Sequence, residues 1–295
     1  MTKILVLGVT GMLGNAVFRV FSEDTACEVW GTLRSAAALR HFPERSRNRL
    51  MTGVDVLDHD AMVSVLTKVR PDVVINCIGL IKQLSNAKDP LLALPINSML
   101  PHRLANLCSL GQSRLVHFST DCVFSGRDGG YSELDTSDAE DLYGKSKYIG
   151  EVQSQPHAIT LRTSIIGHEL NSSYALVDWF LARQGSVKGF AKAIFSGLPT
   201  VELARVVKDY VLPHPQLSGV YHVAAQPISK LDLLRLVAEI YQKEIEIRPD
   251  ESLVIDRSLD ASRFSEATGY RAPPWRELIK KMHAASAKDE QENHV

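Results

Sequence analysis

Three glycines constrain what this chain can fold into more than any other feature. Gly8, Gly11 and Gly14 follow an all-apolar run at residues 4–7 and lead into an apolar segment that opens with Met12 and Leu13. Glycine allows a tight turn and a close backbone approach, so the free N–H groups at the start of the next helix can face a pyrophosphate. A triple-glycine pattern alone is a weak signal. Placed between a buried strand and a helix at the head of the chain, it predicts a dinucleotide-binding unit, with Gly8, Thr10, Gly11, Met12, Leu13 and Gly14 as the cradle. Residues 1–9 superficially resemble a secretory signal, but glycine interrupts the run and no small-residue cleavage site follows, so they read as the first strand.

Strand and helix signals then alternate. A second strand is expected over residues 28–33, and where an NAD-preferring domain usually places an acid, the chain has Leu33, Arg34 and Ser35. A guanidinium and a hydroxyl suit a 2′-phosphate better than a free 2′-hydroxyl, so NADP(H) is the preferred cofactor and NAD(H) the alternative. Arg40, Arg45, Arg47 and Arg49, just beyond, read as a solvated basic loop. Asp55 and Val56 are expected to end the third strand, with the carboxylate facing the adenine amino group. Asp58 has the position of a helix N-cap, and Pro71 lies beyond that helix's end at Val69.

The fourth strand, residues 72–78, ends in N-C-I-G, where Cys77, Ile78 and Gly79 would let the backbone pass close to the cofactor. The next helix carries Asn97 and stops at Gly111; Pro101 within it predicts a kink or a fresh start. About five such alternations predict an α/β, Rossmann-like, doubly wound parallel sheet.

The chemistry concentrates between His117 and Glu151. Residues 115–118 read as a buried strand, with Ser119, Thr120 and Asp121 at its C-terminal end, where open parallel sheets hold their ligands. Tyr143 and Lys147 lie four apart and so share one face of a helix. A cation beside a phenol is expected to draw its pKa down from about 10 towards working pH, which suits proton transfer at a sugar or alcohol oxygen.

Composition excludes other classes. The 295 residues are 45% apolar and 23% charged with a net charge of −1, so no basic excess points to nucleic acid. No apolar run approaches the ~20 residues that span a bilayer. Cys27, Cys77, Cys108 and Cys122 have no metal-ligand spacing and read as reduced core or pocket residues of a cytoplasmic protein. No metal site is expected.

The strings Gly8-x-x-Gly-x-x-Gly14, S-T-D-C-V-F-S-G and Y-G-K-S-K-Y-I-G-E resemble the extended short-chain dehydrogenase/reductase family, and the fuller two are similar to its dTDP-4-dehydrorhamnose reductase branch. The resemblance covers residues 3 to about 282. It implies an NADPH-dependent reduction of the 4-keto group of a nucleotide-linked 6-deoxy sugar, in deoxysugar or surface-polysaccharide biosynthesis. Tyr143 would then be the general acid at the C4 oxygen, Lys147 would bind the nicotinamide ribose and lower the Tyr143 pKa, Thr120 would hydrogen-bond the substrate oxygen, and Asp121 would line the pocket. Dehydratases of the family follow this Thr with Asp-Glu. Here Cys122 follows Asp121, so elimination of water is not expected. An epimerase, or a regulatory subunit that uses the fold to bind a partner enzyme, are the alternatives. Members often dimerise, so a homodimer is among the expectations.

After His168 the alternation becomes irregular. Residues 1–165, with a return segment at about 201–225, are expected to form the cofactor domain. Residues 166–200 and 226–283 are expected to form a smaller, discontinuous substrate lobe, and residues 284–295 a disordered tail. Residues 175–184 and 231–241 read as helices, residues 187–200 as a loop across the pocket mouth, and a short helix closes the chain from Trp275 to Met282. Lys188, Lys192, Arg257 and Arg263 are candidates for the substrate pyrophosphate, with solvent-facing ion pairing as the alternative for each; Lys192 and Arg257 are favoured.

Overall fold

The computed structural model describes residues 1–80, 88–170 and 172–293, with side chains to residue 288. The first strands are β1 (Thr2–Leu7), β2 (Cys27–Thr32), β3 (Leu50–Met51), β4 (Val73–Asn76), β5 (Arg114–Thr120) and β6 (Ala158–Thr163). They are followed by β7 (Ile165–Ile166), β8 (Ser186–Phe190), β9 (Ala193–Phe195), β10 (Leu198–Pro199), β11 (Gly219–His222), β12 (Ile228–Ser229), β13 (Glu246–Asp250) and β14 (Ile255–Asp256).

Seven of these form one sheet in the order β11-β6-β5-β4-β1-β2-β3, and every pairing in it is parallel. This is the doubly wound architecture that the alternation predicts. The chain winds outward from β1 to β3, then crosses back to lay β4 on the other side of β1. Strand ends at such a reversal leave a crevice for ligands.

Both faces of the sheet are covered, which is why its strands read as unbroken apolar runs. Ile4 and Val6 of β1 enter one core with Phe18, Phe21 and Leu203 of the helices Met12–Ser22 and Thr200–Val206. Leu5 and Leu7 enter the other with Met62 and Leu104 of the helices His59–Val69 and Leu100–Gly111. The Asp58 carboxylate caps its helix by accepting from Ala61 N–H at 3.1 Å. Pro101 stands where a π-helical stretch, Leu94–Met99, passes directly into its helix, at that helix's second residue.

The remaining strands build small sheets, β10-β7, β12-β9-β14 and β13-β8, from the segments either side of the return strand β11. The expected loop at residues 187–200 is thus mostly strand. Val187, Gly189, Ala193 and Phe195 are buried at alternate positions, and a side chain at Gly189 would stand 2.6 Å from Leu231. Glycine and lysine within that run obscure the alternation.

Other boundaries also differ. β3 ends at Met51, so Asp55 and Val56 lie past it: Gly53 takes φ +73°, and the Asp55 carboxylate accepts from Leu57 N–H at 3.0 Å to close a turn. The helix expected over residues 175–184 is Leu176–Leu181. The helix expected to end at Met282 continues to Asn293, and Lys288 on it pairs with Glu23, so the described part of the tail is helical rather than disordered.

Candidate active site

The site forms where β5 ends. Ser119, Thr120 and Asp121 are buried there, and Thr120 Oγ1 accepts from Cys122 N–H at 3.1 Å, capping the short turn Asp121–Val123. The helix Leu142–Ile149 packs directly on that turn. Asp141 caps it by accepting from Gly144 N–H at 2.8 Å, and a Cβ at Gly144 would lie 2.1 Å from the Cys122 carbonyl oxygen. Only glycine permits this approach, and the approach is what sets Tyr143 beside Thr120, whose side chain hydrogen-bonds it.

Lys147, one turn along, is buried, and its Nζ donates to the Phe118 carbonyl at 2.7 Å. Burial pulls its pKa down to about 8, against the opposing charge of Glu151. The phenol moves the other way from the expectation. Burial pushes Tyr143 up, as do the neighbouring Cys122 and Asp121, while the Thr120 hydrogen bond pulls it down. The expected lowering by Lys147 does not occur here, because the ammonium is turned to a main-chain carbonyl and desolvation dominates the phenol.

Several of the expected cofactor residues lie against one another. Gly8 takes φ +83°, and a Cβ at Gly14 would lie 2.1 Å from the Gly8 carbonyl oxygen, so loop and helix start are in backbone contact. The first turn of the helix Met12–Ser22 carries no acid, leaving its positive end uncompensated. A Cβ at Gly8 would meet the Ile78 side chain at 2.6 Å, and one at Gly79 would lie 3.9 Å from Lys147 Nζ. Residues 77–79 therefore join the glycine loop to the helix that carries Tyr143 and Lys147. Arg34 and Ser35 are exposed just past β2, with Ser35 Oγ accepting from Ala37 N–H at 3.3 Å. Arg34 O accepts from Gly53 N–H at 3.2 Å, which keeps the segment leading to Asp55 alongside.

The four cationic candidates separate. Arg257 reaches the site: its Nε donates to Phe124 O at 2.8 Å, Nη1 lies 3.8 Å from Cys122 Sγ, and its charge acts on the buried Asp121. Lys192 precedes the neighbouring strand β9, but its ammonium is in an exposed pair with Glu251 at 2.7 Å. Lys188 pairs likewise with Asp250 at 2.8 Å. Arg263 lies over the Tyr221 ring at the outer edge of the sheet and donates to Val220 O at 2.9 Å. The two lysines follow the ion-pairing alternative, and Arg263 is held instead by a ring and a main-chain carbonyl.

Other groups around the site carry no role in the sequence reading. Asn97, from the π-helical stretch, is buried; its Oδ1 accepts from Leu80 N–H at 2.9 Å and its Nδ2 donates to Ser146 Oγ at 3.1 Å. Asn76 Nδ2 donates to His117 Nδ1 at 3.1 Å, and burial holds that imidazole neutral. Glu151 and Arg162 form a buried ion pair next to Ser119. The glutamate repeats the four-residue spacing of Tyr143 and Lys147, which was a usable signal; the arginine, inside a strand, gave none. Among the described residues no group of three or more His, Cys, Asp or Glu side chains could hold a metal, and no helix is long and apolar enough to cross a membrane.

Against known proteins, a family model described as the RmlD substrate binding domain matches residues 1–287. This chain belongs to that family. Among its relatives, the methionine adenosyltransferase 2 subunit beta of Danio rerio is 27% identical over 81% of this chain and 74% of its own length. The dTDP-4-dehydrorhamnose reductase of Aggregatibacter actinomycetemcomitans is 23% identical over 96% of this chain and 99% of its own. A structure of dTDP-4-dehydrorhamnose reductase from Bacillus anthracis in complex with NADP superposes with a TM-score of 0.77, covering 97% of this chain and 100% of that one at 19% identity. That likeness confirms the fold.

Proposed function

We propose that this protein is an NADPH-dependent reductase of the 4-keto group of a nucleotide-linked 6-deoxy sugar, acting in the cytoplasm in deoxysugar or surface-polysaccharide biosynthesis. The observation that carries the reading is the meeting of Tyr143, Thr120 and Lys147 at the end of β5 with the glycine loop of β1, in a chain of this family.

The residues present fit an NADP(H) molecule. Gly8, Thr10, Gly11, Met12, Leu13 and Gly14 offer backbone at a helix start free of acid, Arg34 and Ser35 are exposed to take a 2′-phosphate, Asp55 and Val56 lie beside them for the adenine, and residues 77–79 lead to Lys147. When bound, the cofactor supplies the hydride. Everything else falls to the protein. Tyr143, kept protonated by its burial, gives its proton to the sugar oxygen as the ketone becomes an alcohol, and the Thr120 hydroxyl, which donates to Asp121 Oδ1 at 3.1 Å in the free protein, turns to hydrogen-bond the same oxygen. Lys147 would bind the nicotinamide ribose, as the resemblance implies, and solvent reprotonates the phenolate left behind. Asp121 and Arg257 line the substrate side, and the small sheets between β7 and β14 hold the nucleotide. Cys122, where a dehydratase has a carboxylic acid, supports reduction without loss of water.

A second reading rests on the likeness to the methionine adenosyltransferase subunit, in which the fold would serve a partner enzyme. Tyr143→Phe separates the two. A reductase loses turnover about 10²–10⁴-fold and keeps its cofactor; a regulatory subunit keeps its effect on the partner.

A further inference from the structure

Glu151 follows the catalytic helix Leu142–Ile149 and is fully enclosed together with Arg162 of β6, their side chains being 0% and 3% exposed. Arg162 Nε donates to Glu151 Oε1 and Nη2 to Oε2, each at 2.7 Å, and Ser119 Oγ donates to Oε1 at 2.7 Å. The third guanidinium nitrogen, Nη1, donates to His222 Nε2 at 3.2 Å, while His222 Nδ1 donates to Tyr131 O at 3.0 Å. Both carboxylate oxygens and all three guanidinium nitrogens therefore take part in hydrogen bonds. The shell joins the catalytic helix to β5, β6 and β11.

A buried ion pair of this kind contributes little net stability, since desolvating two charges offsets their attraction. Its geometric effect is larger. The helix has eight residues, and its first turn is fixed by Asp141 and by Gly144 against Cys122. Its last turn carries Lys147, and the Glu151 shell is the charged anchor beyond it.

We propose that Glu151 is a positioning residue of the reaction centre: clamped by Arg162 and Ser119, its carboxylate fixes the end of the catalytic helix against β5 and β6 and so holds Lys147 at the Phe118 carbonyl beside Tyr143. The proposal rests on the reductase reading for its kinetic consequence, but not for its structural one. Glu151 also acts on Lys147 by charge. The titratable groups that interact with that ammonium are Glu151, just past its own helix, and His117 on β5; His102 acts on His117, and Arg162 and His222 stand behind Glu151. Glu151 is the anion that supports the charged lysine, since burial keeps His117 neutral and Tyr143 protonated.

The test compares Glu151→Gln with the double variant Glu151→Met/Arg162→Met, which removes both charges and leaves none stranded. Turnover of NADPH with a dTDP- or UDP-linked 4-keto-6-deoxy sugar is measured against pH, and the Lys147 Nζ midpoint is followed by ¹⁵N NMR in the free protein. Both variants are expected to lose about tenfold or more in kcat, and to move the lysine midpoint and the alkaline limb down by about half a pH unit or more. If Glu151→Gln does not fold, the double variant decides alone. A folded variant that keeps wild-type kcat and an unmoved midpoint would make the pair merely structural and overturn the proposal. If the wild-type protein oxidises NADPH with neither sugar nucleotide, the reductase reading fails, and the lysine midpoint in the variants still decides the role of Glu151.

Discussion

Lys147 donates its 2.7 Å hydrogen bond to the carbonyl of Phe118, two residues before Thr120 on the same strand. One contact thus ties the cation of the helix Leu142–Ile149 to the strand that carries Thr120. The three groups of the proposed reaction are held by elements that meet only in the fold.

The lysine makes turnover sensitive to alkali. Its pKa is pulled down to about 8 by burial, from an ordinary value near 10.5. The ammonium is therefore present below about pH 8 and lost above it. Turnover should hold on the acid side of that midpoint and fall as pH rises through it, and the kcat profile from pH 6 to 10 checks this. The same sign applies to folding. Holding the buried amine charged below about pH 8 costs stability, and that cost is relieved between pH 8 and the unfolded value near 10.5.

Gly144→Ala should damage activity out of proportion to its size. The added methyl would stand 2.1 Å from the Cys122 carbonyl oxygen and 2.7 Å from Ala139 Cβ, so the helix must move off the Thr120 turn. Overpacking of this kind costs about 1–3 kcal/mol. A lowered melting temperature with a loss of turnover larger than the loss of cofactor affinity is the expected pattern.

Arg34→Ala should change cofactor choice rather than chemistry. A hydrogen bond to a charged group is worth about 1.5–3 kcal/mol, so kcat/KM for NADPH is expected to fall roughly 10–100-fold while that for NADH changes little. Steady-state kinetics with both cofactors reads this directly. Equal losses for the two would remove Arg34 from the 2′-phosphate site.

What the sequence made legible was local or periodic. The glycine loop, the Asp58 cap and the four-residue spacing of Tyr143 and Lys147 each depend on neighbours within a turn or two. The doubly wound sheet followed from apolar runs alternating with helices. What stayed hidden depends on chain segments that meet only after folding. The direction of the Tyr143 shift is set by burial together with Cys122 and Asp121. Lys192, a pyrophosphate candidate in sequence, is paired with Glu251, far along the chain. Arg162, inside a strand, carries no signal until Glu151 is seen against it. The strands β8 to β10 were obscured because their glycine and lysine positions serve close packing and the lobe surface.

The most direct test of the central claim is NADPH oxidation, followed by absorbance, on adding dTDP- or UDP-linked 4-keto-6-deoxy sugars freshly made by a 4,6-dehydratase. The account predicts oxidation with one of the two bases, slower with NADH and abolished in Tyr143→Phe. A purified protein that binds NADPH but oxidises it with neither would contradict the reductase reading.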